Sequence, residues 1–218
     1  MKKVVVAADS FKGSISSEQV CNTVKKAMQD AINDLEVICV PIADGGEGPI
    51  EVLGAEKIYK TVNDAFFDKV KAYWGKLDQY AVVELATAAG LPMAKNPNPM
   101  IASTYGVGEL ILDALDHGER NIILALGGSS TNDLGCGMAC ALGAKFFNKN
   151  GESFIPTGGT LIDIDKIDVS EMDPRLKDCE FTTMCDVTNP LYGSEGAAYV
   201  FAPQKGATEE MLPLWMLV

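Results

Sequence analysis

The amino-acid sequence predicts an α/β protein, and three observations predict it. The first stretch reads strand, loop, capped helix, strand, which is the logic of a βαβ unit. Further along, the run Asn121-Ile122-Ile123-Leu124-Ala125-Leu126 leads directly into a glycine- and hydroxyl-rich loop and then a run of small residues at helical spacing. Hydrophobic residues make up 47% of the 218 positions and charged ones 22%, with no low-complexity tract, so the chain can bury a core and is not disordered.

The elements follow in order. Val4-Val5-Val6-Ala7-Ala8 is a continuous apolar run ending at Asp9-Ser10, and continuity rather than alternation predicts a strand covered on both faces. Ser16-Ser17-Glu18 offers an N-cap to a helix with Val20, Val24, Ala27, Met28 and Ile32 on one face. Glu36 to Val40 is a second strand, closing at Pro41 and the loop Ala43-Asp44-Gly45-Gly46-Glu47-Gly48. Lys57 to Gln79 carries short apolar stretches broken by Asn63-Asp64 and by Gly75-Lys76-Leu77-Asp78, which predicts antiparallel strands or a hairpin. Ala81 to Leu85 reads as another buried strand. After the loop Asn96-Pro97-Asn98-Pro99, Gly106 to His117 has helical spacing at Val107, Leu110, Ile111 and Ala114. Asn121 to Leu126 is the most strand-like run, and Gly135 to Leu142 the small-residue helix beyond it.

Composition excludes several classes of partner. A formal net charge of −12 with no clustered Lys or Arg argues against nucleic acid and against an anionic membrane surface. The apolar run near the N-terminus is too short for a signal-peptide core, and no run is long enough to span a bilayer. The six cysteines are scattered, without CxxC spacing, and the single histidine is His117, so they read as reduced residues of a cytoplasmic protein rather than a metal site.

Five loops hold residues with chemistry. Gly127-Gly128-Ser129-Ser130-Thr131-Asn132-Asp133 sets backbone amides and hydroxyls after a buried strand and before a helix, which suits an anion at a helix N-terminus; a tight turn needing glycine explains the same residues. It is neither a Walker A loop nor a GxGxxG fingerprint. Asp9-Ser10-Phe11-Lys12-Gly13-Ser14 follows the first strand at a place where α/β sheets bind ligands, although turn and capping chemistry also accounts for it. Asp44-Gly45-Gly46-Glu47-Gly48 has two carboxylates for Mg²⁺ or a base role, or is a surface loop. Cys185-Asp186-Val187-Thr188-Asn189 and the Lys205 turn each have an ordinary turn reading in isolation. His117, beside Gly118 at a helix end, complements the dipole better than it serves a hydrolase.

Taken together these loops resemble the bacterial glycerate kinase family, the type without a P-loop. The matching stretches are Ala8 to Ser14 (ADSFKGS), Pro41 to Gly48 (PIADGGEG), Ser103 to Leu110 (STYGVGEL), Leu126 to Asp133 (LGGSSTND), Cys185 to Leu191 (CDVTNPL) and Ala202 to Thr208 (APQKGAT). They stand in the family's order over nearly the whole chain. Ala8 replaces a frequent proline, and Pro49 replaces the usual threonine, removing a hydroxyl and a donor.

The resemblance implies ATP- and Mg²⁺-dependent phosphorylation of D-glycerate, with 2-phosphoglycerate favoured over 3-phosphoglycerate, by a monomer or homodimer. It implies a flavodoxin-like, doubly wound lobe and a restriction-enzyme-like mixed α/β lobe, divided here as residues 1–80 and 81–218, with the site between them. In that setting Asp44, Asp186 and Lys12 are the candidate catalytic residues, with Asp44 and Asp186 also candidates for Mg²⁺. Asp9, Ser10, Gly45, Gly46, Gly127, Gly128, Ser129, Ser130, Asn132, Asp133, Asn189 and Lys205 are the candidates for substrate or phosphate contacts.

The family continues beyond the QKGA motif, whereas this sequence ends at Trp215-Met216-Leu217-Val218. Shifted by one base, codons for that tail can read Leu-Asp-Ala-Gly, so a frameshift near Leu212 to Leu214 is expected. The competing expectation for function is then an inactive remnant that at most binds ligand.

Overall fold

The computed structural model describes residues 2–216, and of the expected frameshifted tail Leu217 and Val218 lie outside them. β1 (Lys2–Ala8) and β2 (Leu35–Pro41) pair in parallel with Lys2 opposite Leu35, and α1 (Ser17–Ala31) connects them. Ser16 caps this helix through a capping box: its hydroxyl accepts the Gln19 amide at 3.3 Å, and the Gln19 side chain accepts the Ser16 amide at 3.1 Å.

Two expectations are corrected here. β1 is not covered on both faces: Val5 is 60% exposed, and Ile38 and Val40 on β2 are exposed as well. One helix lies against two strands, so only one face is packed. The stripe of α1 is also rotated from the expected one. Ser17 and Cys21 are buried, Val20 and Met28 half-buried, and Val24 and Ile32 exposed, because the helix meets the strand side at Ser17 and Cys21, which donate to the Ile42 and Val6 carbonyls.

α2 (Pro49–Val52) is a single turn with proline at its first position. It leads to β3 (Glu56–Asn63), β4 (Lys69–Leu77) and β5 (Tyr80–Glu84), then α3 (Ala86–Ala89), α4 (Tyr105–Asp116) and β6 (Asn121–Ala125). α5 (Cys136–Ala141) precedes a small antiparallel sheet of β7 (Lys145–Phe147), β8 (Ser153–Phe154) and β9 (Lys166–Asp168). β10 (Glu180–Met184) and α6 (Ala197–Phe201) complete the elements.

The larger sheet has the order β10-β6-β5-β4-β3. Its β3–β4 and β4–β5 pairs are antiparallel, as the hairpin pattern predicts, and β5, β6 and β10 run parallel. Pairing between β4 and β5 crosses residue 80, where the expected lobe division falls. The expected break at Gly75 is corrected too, since β4 runs through it. A Cβ there would sit 2.9 Å from Ile50 Cγ1 and from Ala55 Cβ, so glycine lets α2 close onto the strand.

The core lies between this sheet and α4. Val62, Ala72, Trp74, Ala81, Val83, Val107, Leu110, Ile111 and Ile122 are fully buried or nearly so. Trp74 can be buried because its indole donates to Asp113 Oδ2 at 3.0 Å, and Asp113 Oδ1 in turn meets Lys60 at 2.8 Å. Burial pushes the Asp113 carboxyl up, but Lys60 and Trp74 outweigh it and hold its pKa low. Gly106 packs onto the Asn63 carbonyl, where any side chain would collide, and so sets how closely α4 approaches β3.

Candidate functional site

The parallel strands of the two sheets, the pair β1 and β2 and the trio β5, β6 and β10, end in loops that carry nearly all the residues singled out from sequence. This is the edge at which open α/β sheets take ligands. The loops are bonded to each other. The Gly127 amide donates to the Gly45 carbonyl at 2.9 Å, and the Leu126 amide to the Met184 carbonyl at 3.3 Å. Glycine is required where they meet: a Cβ on Gly127 would lie 2.6 Å from Gly46 Cα, and one on Gly45 would lie 2.9 Å from the Met184 carbonyl oxygen.

Lys12 and Asp44 form the central ion pair, with Nζ to Oδ2 at 3.0 Å. Asp44 Oδ1 accepts the Gly46 amide at 2.8 Å, which closes the turn. Burial pushes the Asp44 carboxyl up, yet the hydrogen bonds from Lys12 and Gly46 prevail and its pKa is lowered. The hydrogen bond to Asp44 raises the Lys12 pKa, with Asp9 and Asp186 adding to the effect by their charge. Asp9, Asp44 and Asp186 are therefore each within electrostatic reach of Lys12. Ser10 lines the neighbouring cleft, and its amide donates to Asp9 Oδ1 at 2.6 Å.

Other expected residues are turned to structural work. The helix after the glycine loop starts only at Cys136, and its end is already occupied by Asp133. That carboxylate is 1% exposed and accepts the amides of Thr104, Gly135 and Gly137 and the Thr104 hydroxyl. The anion expected at this helix N-terminus is thus the chain's own, and Asp133 does not face the cleft. Ser130 is buried, with its hydroxyl donating to the Ala89 carbonyl at 2.9 Å.

Lys205 is buried behind the same loop, donating to Ser129 Oγ at 2.7 Å and to the Thr131 carbonyl at 2.6 Å. Burial lowers its pKa to about 8, opposed by the charge of Asp133. Gly128 takes a positive φ of 72° and is exposed at the loop tip, while Asn132 is half-buried beside it. Asn189 sits in an exposed loop and donates to the Glu195 carbonyl at 3.0 Å.

A cleft of about 900 Å³ opens between the β1–α1–β2 unit and the larger sheet. Ser10, Lys12 and Ser14 line one side, and Lys71, Tyr73 and Thr87 the other. At its floor lies Glu84, a residue the sequence reading passed over. The signal was available: a carboxylate closes the otherwise apolar run Ala81-Val82-Val83-Glu84-Leu85. Glu84 is 2% exposed, and burial raises its pKa to about 7, opposed by the Ile50 amide.

No three His, Cys, Asp or Glu side chains among the described residues are grouped to hold a metal. Asp44 and the exposed Asp186 each act by charge on Lys12.

Comparison with known proteins agrees over the whole of this architecture. The glycerate 2-kinase of Escherichia coli K12 is 44% identical over 219 aligned residues, which cover 96% of this chain and 57% of that protein. The glycerate kinase of Bacillus cereus is 45% identical, with 96% and 57% covered. The crystal structure of a Salmonella typhimurium LT2 protein, provisionally named glycerate kinase 2, superposes with a TM-score of 0.82 at 38% identity, over 98% of this chain and 59% of that one. The chain thus spans somewhat over half the length of these relatives. With the glycerate kinase family pattern matched along residues 4–215, the chain belongs to the glycerate kinase family.

Proposed function

We propose that this chain supplies the donor-phosphate and acceptor side of an ATP-dependent phosphorylation of D-glycerate, with 2-phosphoglycerate as the product. The observation that carries the reading is the Lys12–Asp44 pair, held at 3.0 Å where the strand-end loops converge. Phosphoryl transfer is mostly positioning and neutralisation of charge. Lys12 presents an ammonium that is 62% exposed and oriented by Asp44, so it is accessible to a phosphate oxygen. The exposed turn at Gly128 and the Ser129 hydroxyl give donors on the far side of the same edge.

Asp186 and Asp44 would hold Mg²⁺, which when bound supplies neutralising charge to the phosphates. The cleft wall of Ser10, Ser14, Tyr73 and Thr87, with Lys71 near its mouth, suits a small acid bearing hydroxyls. The β1–α1–β2 unit is the start of the flavodoxin-like lobe, and the larger sheet the mixed lobe. We place the division in the 42–55 segment, since sheet pairing crosses residue 80.

The test is ATP turnover with D-glycerate by the purified protein, with the product read by ³¹P NMR. Wild type should yield 2-phosphoglycerate, and Asp44→Asn should lower kcat by about 10²-fold or more with its circular dichroism unchanged. Absence of glycerate-dependent turnover in the wild type, or normal turnover by Asp44→Asn, would sink the reading.

A further inference from the structure

Glu84 is the buried carboxyl group that spans from the central sheet to the loop bearing Asp44. It stands at the last position of β5, and its Oε1 accepts the Ile50 amide at 2.7 Å while Oε2 lies 3.4 Å from the Gly48 amide. Those two amides close the Asp44–Gly48 loop and begin α2. Other contacts that hold that loop to the sheet are the Gly127 amide on the Gly45 carbonyl, the close approach of Gly45 to Met184, and the packing of Ile50 against Gly75. The backbone of β5 is in turn fixed between β4 and β6. The Glu84 side chain thus ties the end of the glycine-rich loop to a strand paired on both sides.

We propose that Glu84 is a positioning residue, whose carboxylate fixes the Asp44–Gly48 loop, and with it the Lys12–Asp44 pair, against the central sheet by accepting the Gly48 and Ile50 amides. The proposal rests on the kinase reading only for what the loop does; the grip itself is independent of any ligand.

The grip depends on protonation. An ionised carboxylate accepts amide hydrogen bonds more strongly than a neutral acid. The charged groups facing Glu84 are few: Glu51 on α2, which favours the neutral acid, and Lys57 on β3, which favours the ionised form. Tyr73 on β4 stands beside it, and Lys12, Glu47 and Lys71 line the same cleft. With burial dominant, the acid ionises near neutrality rather than near its ordinary 4.5. The Ile50 and Gly48 amides favour the ionised form, so an opening that breaks those two bonds while the carboxyl stays buried is resisted more firmly on the alkaline side of neutral than on the acid side.

Amide hydrogen exchange on the 218-residue chain, without ligand, tests this. After correction for intrinsic rates, wild-type protection at Gly48 and Ile50 should rise several-fold between pH 6 and pH 8. Glu84→Gln keeps an oxygen for the Ile50 amide but cannot ionise, and should stay flat at the lower value. Glu84→Ala should exchange at these two amides at least tenfold faster than wild type at pH 8, while β6 and α4 change less than twofold. A pH step of wild-type size in Glu84→Gln overturns the proposal even if Glu84→Ala does not fold. Unchanged exchange at both amides in Glu84→Ala, or an equal acceleration throughout the chain, overturns it too. Loss of glycerate turnover with this exchange pattern retained would strike the kinase reading and leave the grip standing.

Discussion

The two regions that flank the cleft are built on the same strand-and-helix logic but are buried to different depths. In the larger sheet, strands are packed on α4, and Trp74, Val82, Val83, Leu110 and Ile111 have no exposure. In the β1–α1–β2 unit the fully enclosed apolar side chain is Cys21, with Leu35 and Val37 nearly so, and Val5 and Ile38 open to solvent. Area removed from water sets most of the stabilisation, so the first region carries the fold and the second is lightly held. The cleft therefore has a rigid wall and a compliant wall. Lys12 and Asp44 belong to the compliant side, and Glu84 and Thr87 to the rigid one.

The largest expected effect breaks the rigid wall. Trp74→Ala should cost about 3–5 kcal/mol, since it empties a core site and leaves Asp113 without its indole donor. Urea denaturation by circular dichroism would measure it, and a loss below about 1 kcal/mol would mean that the wall is not the core of the fold. Next comes Asp133→Ala, expected to cost about 2–4 kcal/mol because the buried amides of Thr104, Gly135 and Gly137 lose their acceptor. If Asp133 instead served ligand alone, the variant would be as stable as wild type.

A pH experiment sharpens the comparison behind the glycine loop. The pKa of Lys205 falls from the ordinary 10.5 to about 8. Between those values the unfolded chain binds more protons, so this group makes stability rise with pH from about 8 to 10.5. Below pH 8 its burial cost is full. Urea midpoints for wild type should show that rise, and Lys205→Met should flatten it. For unfolding of the whole chain, which releases Glu84 to water, Glu84 acts in the opposite sense. Its pKa is raised from 4.5 to about 7, so its contribution is lost as pH climbs through that window, even as the amide bonds it accepts within the folded protein strengthen.

The smallest effect is on the compliant wall. Ser16→Ala removes one half of the capping box and should cost about 1 kcal/mol. It should speed amide exchange in α1 while sparing α4, and equal acceleration in both helices would deny that the two regions open separately.

Much of the fold was legible because its signals are local. The β1–α1–β2 unit, the β3–β4–β5 meander, α4 and β6 all follow from apolar spacing and turn residues near in sequence. What escaped depends on partners far along the chain. Gly75 looks like a break but sits in mid-strand because Ile50 needs its empty side. The continuous run of β1 suggests two covered faces, yet coverage depends on what else packs there, which a strand's own residues do not state. Of the candidate site, Lys12, Asp44, Asp9 and Asp186 stand out in the sequence as loop chemistry at strand ends, and the fold sets the three carboxylates about Lys12. Asp133 and Lys205 read alike from sequence, but the fold spends them on orphan amides and carbonyls of the glycine loop. Glu84 was missed because the amides it accepts lie 34 and 36 residues away, so the lone carboxylate in its apolar run gives no sign of what it binds.

The central claim is that Lys12, steadied by Asp44, meets the donor phosphates at the compliant edge of the cleft. Isothermal titration of the chain with ATP and Mg²⁺, wild type against Lys12→Met, tests it most directly. Lys12 is mostly exposed, so the substitution should leave the fold intact. Saturable binding in the wild type that weakens at least tenfold in Lys12→Met is the predicted result, and equal affinity in the two proteins would contradict it.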